Sequence, residues 1–376
     1  MRVAAIIAEY NPFHFGHKYQ LELVKQRAGA AVVIMSGPFV QRGEAAVTDK
    51  WTRARDALNN GADLVIELPV IYALNSAREF ASGAVELLDK TGVIDELCFG
   101  AETENAALLE NAAELAEHEP PDVSAKIKSL MAMGAAYPAA REKAFSGLID
   151  EKILSQPNNI LAVEYIRALK RIKSNIKPVP IRREGSGYHD IKIDRFASAS
   201  GIRARLFGGE DISELLPEPR FDVYDTKMLD TAVTARLRTI TPAELSNINE
   251  VSEGLENRII RAALEYSSIT DIAEAVKTKR YTMSRIKRIL LSSLIGITKE
   301  LAKSRAGYVR VLGMTAAGAE LLKKIKANGE VITKTADYKG HSPVFEADIR
   351  AQNLFSLCGK NKRGNTDFTV SPVIVR

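Results

Sequence analysis

Apolar residues fall along the first hundred positions in two alternating patterns. Short, nearly continuous runs occur at Val3 to Ala8, Ala31-Val32-Val33-Ile34-Met35, Leu64-Val65-Ile66 and Leu97-Cys98-Phe99. Between them lie segments with helical spacing. These carry Tyr19, Leu21, Leu23 and Val24, then Trp51, Ala54, Ala57 and Leu58, then Phe80, Val85, Leu87 and Leu88. Nearly continuous apolar strands separated by amphipathic helices predict an α/β fold, a Rossmann-like doubly wound parallel sheet covered on both faces. Its crossovers should be right-handed.

Farther along, residues 103–175 predict mostly helix, broken at Glu119-Pro120-Pro121, and Val179-Pro180-Ile181-Arg182 predicts a further strand. A Gly/Ser-rich loop at Glu184-Gly185-Ser186-Gly187 precedes a helix from about Gly201. Leu216-Pro217-Glu218-Pro219 reads as a linker, because its prolines block helix and central strand alike. Residues 223–305 predict helices only; Thr241-Pro242-Ala243-Glu244 is one start, with Pro in the first turn and Glu close behind. Mixed signals return at the end: strands at Tyr308 to Leu312 and Val331-Ile332-Thr333 around a helix at 316–327, then an edge strand at Phe368-Thr369-Val370 and Val373-Ile374-Val375. Three regions are expected: an α/β domain at 1–218, a helical domain at 219–306 and a small mixed α/β region at 307–376.

Composition narrows the class. The chain has 376 residues, 46% hydrophobic and 26% charged, which is ordinary globular usage with room for two or three domains. Its two cysteines, Cys98 and Cys358, are too few for a disulfide scaffold or a structural zinc site. No run approaches the roughly 18–20 apolar residues of a membrane span. A cytoplasmic protein with no membrane partner is expected.

Net charge is only +5, but its distribution is uneven. From Lys277 to Arg310 there are ten basic side chains and one acid, Glu300, a formal +9 that leaves −4 for all other residues. Within it Lys277, Lys279, Arg280, Arg285, Lys287 and Arg288 crowd around Tyr281. A charge run is often a solvated helix face. The scarcity of compensating acids favours an RNA backbone.

The candidate chemistry follows the first strand. His14 and His17 lie three apart in a strand-to-helix turn with Gly16 between them. This turn falls at the C-terminal edge of a parallel sheet, where open α/β sheets bind ligands. A helix N-terminus there favours phosphate. Gly16 lets backbone approach a ligand closely, and two imidazoles can donate to phosphate oxygens as charge develops. A structural histidine pair and a zinc site are the alternatives. Two His without nearby Cys or carboxylates make a poor ligand set, so nucleotide binding is preferred.

His14-Phe15-Gly16-His17 resembles the HxGH signature of the HIGH-type nucleotidyltransferases. The longer string from Ala8 to His17 resembles, more narrowly, the tRNA(Met) cytidine acetate ligases. So do Met35-Ser36-Gly37-Pro38-Phe39-Val40-Gln41-Arg42-Gly43-Glu44, Asp63 to Pro69, Phe99-Gly100-Ala101-Glu102, Pro157-Asn158-Asn159-Ile160-Leu161 and Tyr188-His189-Asp190. Val251 to Arg258 and Ser284 to Arg288 extend the likeness over nearly the whole chain.

The resemblance implies an ATP-dependent ligase. It would make acetyl-adenylate from acetate, release pyrophosphate, and acetylate N4 of the wobble cytidine 34 of elongator tRNA(Met). Magnesium is expected with ATP, with no protein metal ligand assigned. The implied ATP site runs Ile7-Ala8-Glu9-Tyr10-Asn11-Pro12-Phe13-His14-Phe15-Gly16-His17-Lys18-Tyr19-Gln20, with Gly100, Asn159 and Arg183. His14 and His17 would be the catalytic pair. A second phosphate motif would be Ser198, Ser200 and Arg203, although Ser200 and Gly201 stand where Thr and a larger residue are expected. Two other functions fit parts of the sequence: a small-substrate adenylyltransferase of the same fold, and a non-catalytic ATP- and RNA-binding protein.

Overall fold

The computed structural model describes residues 1–376 except 136, 150–152, 154–155, 183–196 and 253. Strands β1 (Val3–Ala8), β2 (Ala30–Ser36), β5 (Leu64–Leu68), β6 (Glu96–Ala101) and β7 (Lys177–Arg182) pair in parallel. The short strands β3 (Phe39–Val40) and β4 (Glu44–Ala45) form a separate antiparallel hairpin. Side chains alternate between the sheet's two buried faces. Val3, Ala5 and Ile7 of β1 join one apolar cluster, Ala4 and Ile6 the other. A strand buried on both faces must read as a continuous apolar run, which is why these were legible. Helices Phe15–Arg27 and Lys50–Asn59 cover one face; Ala77–Thr91 and Pro157–Arg171 cover the other.

The strand order is β10 (Val373–Ile374), β8 (Tyr308–Met314), β5, β2, β1, β6, β7, with β9 (Glu330–Ile332) also on β8. Beyond β1 the chain adds β2 and β5 on one side, then returns to add β6 and β7 on the other. β1 therefore sits at the switch point, where crossovers leave in opposite directions and a crevice opens beyond the strand ends.

The region from 307 onward differs from the expectation of a separate unit. Its strands β8 (Tyr308–Met314), β9 (Glu330–Ile332) and β10 (Val373–Ile374) extend the N-terminal sheet, with β8 antiparallel to β5. Nor is Phe368 to Val370 a strand: Thr366–Thr369 is a short helical turn. The reason is Asp367, which is buried against Lys50 and Arg310, each at 2.8 Å, and cannot lie in an exposed edge ladder. The middle region is helical, as expected: Asp230–Thr239, Pro242–Ser246, Leu255–Glu265, Ile269–Val276 and Met283–Ile295. Thr241 and Glu244 close the expected capping box. No helix among the described residues is long and apolar enough to cross a membrane.

Candidate nucleotide site

β1 ends at Ala8, and the turn Glu9 to His14 delivers the chain into the helix Phe15–Arg27. His14 is the N-cap. Its Nδ1 accepts from the Gly16 N–H at 3.1 Å, while its own N–H donates to Nδ1 of His17 at 3.3 Å. An imidazole whose Nδ1 accepts carries its proton on Nε2 when neutral. Both histidines are thus held as Nε2 donors. Their rings stack with centroids 3.7 Å apart, and Tyr10 and Phe13 pack on His17 at 4.7 and 5.8 Å. His14 is buried, which fixes its position before any ligand arrives. The helix N-terminus has no acid in its first turn, so its dipole and amides present net positive potential to an anion.

Loops from the neighbouring strands complete the edge. Arg53 is fully buried and donates to the carbonyls of Glu9, Ser36, Gly37 and Thr48 at 2.5–3.1 Å. One guanidinium thus ties the ends of β1 and β2 together. Burial, opposed by nearby Asp49, Glu67, Glu9 and Asp56, lowers its pKa to about 10, so it remains cationic at neutral pH. Sequence reasoning missed Arg53: it lies on the face of a helix otherwise marked by Trp51, Ala54 and Ala57, where a charge has no apolar signature. Burial raises the Glu9 carboxyl, opposed by the Gln41 N–H that donates to it at 2.7 Å and by Arg203, Arg42 and Arg53.

Ser198 caps the helix Ala199–Phe207, accepting from the Gly201 N–H at 3.1 Å. That helix aims Arg203 at the histidine turn, where its guanidinium donates to the Asn11 carbonyl at 2.8 Å. Ser200 lies exposed on the same helix. The other implied ATP residues divide. Gly100 pairs with Ile181 between β6 and β7. Asn159 is buried; its Oδ1 accepts from the N–H groups of Glu102 and Thr103, and its Nδ2 donates to Gln156. These contacts shape the loop beyond β6. Glu102 was also missed: its carboxylate accepts from Asn158 and Asn159 at the N-terminus of Pro157–Arg171. Arg183, Tyr188, His189 and Asp190 lie outside the described residues.

A family model described as HIGH Nucleotidyl Transferase matches residues 1–368. The chain is 37% identical to the tRNA(Met) cytidine acetate ligase of Clostridium perfringens, over the whole of both chains. It is 40% identical to the protein of that name from Caldanaerobacter subterraneus, covering 96% of each. A crystal structure of Thermotoga maritima TmcAL bound with alpha-thio ATP superposes with a TM-score of 0.90 at 31% identity, covering both chains in full. The chain belongs to the tRNA(Met) cytidine acetate ligase family, within the HIGH nucleotidyltransferases.

In this member of the acetate ligase family, the basic segment is divided between two jobs. Arg288 is buried and grips Glu250 through two bonds of 2.6 and 2.7 Å while donating to the Gln41 carbonyl at 3.1 Å. Lys287 pairs with Glu44 at 2.8 Å. Arg285 donates to the Glu250 carbonyl and to Ser252 and lies over Tyr281. Gly43, at φ +74°, lets this helix close in: a Cβ there would sit 2.6 Å from the Arg288 nitrogen. Lys287 and Arg288 join the helical region to the hairpin beside the histidine turn, while Arg285 braces the helical region itself, a correction to reading all six as one RNA face. The compensating acids exist, but Glu44 and Glu250 lie well outside the segment; Lys277 also pairs with nearby Glu274 at 3.6 Å. Lys277 and Lys279 are exposed, and Arg280 stacks against Tyr281.

Gln41, Glu44 and Lys50, on the same edge, have similar structural employment. Lys50 is buried between Glu67 and Asp367. Arg310 joins the same cluster, so it too leaves the surface charge of the segment.

Proposed function

We propose that this chain is an ATP-dependent acetate–tRNA ligase that acetylates N4 of the wobble cytidine 34 of elongator tRNA(Met). The observation that carries this is the histidine turn: two stacked imidazoles, both held as Nε2 donors, at the switch point of the sheet. Family membership supplies the substrates. ATP would lie along Ile7 to Gln20, its phosphates over the helix N-terminus. An acetate oxygen attacks the α-phosphorus, the bond to the bridging oxygen of the β-phosphate breaks, and pyrophosphate leaves. His14 and His17 donate to the phosphate oxygens as charge builds, while Arg203 faces the leaving group. Catalysis here is positioning and electrostatics.

In the second step cytosine N4 attacks the acetyl carbon, AMP departs with the electrons of the acyl–oxygen bond, and N4 loses a proton. Magnesium would arrive with ATP, held mainly by the phosphates: among the described residues no three His, Cys, Asp or Glu side chains converge on a metal site. Lys277, Lys279 and Arg280 would contact the tRNA backbone. A cytoplasmic location fits these substrates.

Incubating the enzyme with tRNA(Met), ATP and acetate, then analysing nucleosides by mass spectrometry, tests the reading. N4-acetylcytidine should form only when both ATP and acetate are present, with one AMP per acetyl group. Adenylate transfer to a small phosphorylated acceptor without any need for acetate would instead favour the adenylyltransferase alternative.

A further inference from the structure

We infer that the loop Gly359 to Gly364 is an additional RNA-phosphate contact, one that holds the tRNA backbone beside the nucleotide site. The inference rests on the tRNA reading above and adds a surface to it. Lys360, Lys362 and Arg363 place three cations within four residues, and all three are exposed. None of them enters an ion pair among the described residues. No acid occurs between Cys358 and Thr366. Arg285, Lys287, Arg288 and Arg310 are engaged by intramolecular partners, whereas this loop shares its exposure with Lys277 and Lys279.

Both ends of the loop are fixed. The Cys358 carbonyl accepts from the Asp225 N–H at 3.0 Å. Gly359 lies so close to Tyr224 that a Cβ would meet the ring at 2.6 Å. On the far side, the Asn365 N–H donates to Asn353 Oδ1 at 2.7 Å, and Asp367 is buried between Lys50 and Arg310. A tip displayed on a fixed base loses little freedom when it binds.

The base also places the loop. The Tyr224 N–H donates to the Val47 carbonyl at 2.9 Å, and the Val47 N–H donates to Asn11 Oδ1 at 2.7 Å. Two residues therefore connect the loop to the turn that leads into His14. Phe368, 49% exposed, follows just beyond and offers an aromatic face to an unpaired base. Cations with an adjacent aromatic, beside a site that must receive an RNA base, fit a nucleic-acid backbone better than an acidic protein or a lipid surface.

The test is to replace Lys360, Lys362 and Arg363 together with Gln and titrate in-vitro-transcribed tRNA(Met) at several salt concentrations. The dissociation constant should rise on the order of 10-fold or more, and the slope of log affinity against log salt should flatten by about 2. Unchanged affinity and slope would overturn the inference, as would retained tRNA binding with lost binding to phosphatidylserine vesicles. If the triple variant melts early, Lys362→Glu alone serves with the same two outcomes. Acetate-dependent exchange in the wild-type protein is measured in parallel. Its absence would sink the ligase reading, whereas loop-dependent tRNA binding would still stand.

Discussion

Arg203 donates to the carbonyl of Asn11 at 2.8 Å, across 192 positions of sequence. One contact therefore joins the second phosphate motif to the histidine turn. Burial lowers the guanidinium's pKa, opposed by Glu44 and Glu9, and the group remains a cation facing the turn. Arg203→Ala should lower the rate of adenylate formation on the order of 100-fold, the scale of one preorganised charge lost from a transition state. Melting temperature and tRNA affinity should change little. Steady-state kinetics would show the loss in kcat; a pure rise in the KM for ATP would mean the residue only binds substrate.

Arg53 should matter for folding as well as for catalysis. It satisfies four buried carbonyls, with no carboxylate among the described residues in direct contact. Arg53→Met keeps the bulk but leaves those acceptors without a donor, at about 1–3 kcal/mol for each that water cannot reach. A loss of at least about 3 kcal/mol in urea unfolding is expected. Wild-type stability in the variant would show that the carbonyls find other donors.

The two halves of the basic segment should respond differently. Replacing Lys277, Lys279 and Arg280 with Ala should weaken tRNA binding and flatten its salt dependence, with unfolding unchanged. Arg288→Ala should instead destabilise by about 3–5 kcal/mol, because Glu250 loses a partner in a mostly buried pair. A double-mutant cycle of Arg288 with Glu250 should give a coupling of roughly 1–3 kcal/mol. A coupling near zero would deny the interface role.

Asp56 gives stability a pH dependence of known sign. Burial, helped by Glu218, pushes its carboxyl up to about 7, opposed by Arg55. The folded form therefore holds a proton that the unfolded chain releases near pH 4. The stability this contributes is full below that value and is lost as pH rises through about 7. Asp56→Asn should match wild type near pH 4 and exceed it at pH 8 by up to roughly 2–4 kcal/mol. Parallel stability curves for the two proteins from pH 5 to 8 would contradict this.

What was readable in the sequence follows from locality. β1, β2, β5 and β6 are buried on both faces, so each announced itself as an apolar run. The histidine turn was readable because strand, turn, glycine and cap are contiguous. Long-range pairing left no such mark. β8 lies antiparallel beside β5 although about 240 residues separate them, and nothing near Tyr308 signals it. The +9 segment misled for the same reason. Glu44 neutralises Lys287 across 243 positions, and Arg288 reaches Gln41 across 247. Charge counted along a chain measures surface potential only when the partners are also local.

Acetate-dependent ATP–pyrophosphate exchange, without tRNA, tests the proposed chemistry most directly. The wild-type protein should incorporate labelled pyrophosphate into ATP only when acetate is present. His14→Ala and His17→Ala should each abolish that exchange while leaving tRNA affinity nearly intact. Exchange that persists in both histidine variants, or that proceeds equally well without acetate, would contradict the assignment.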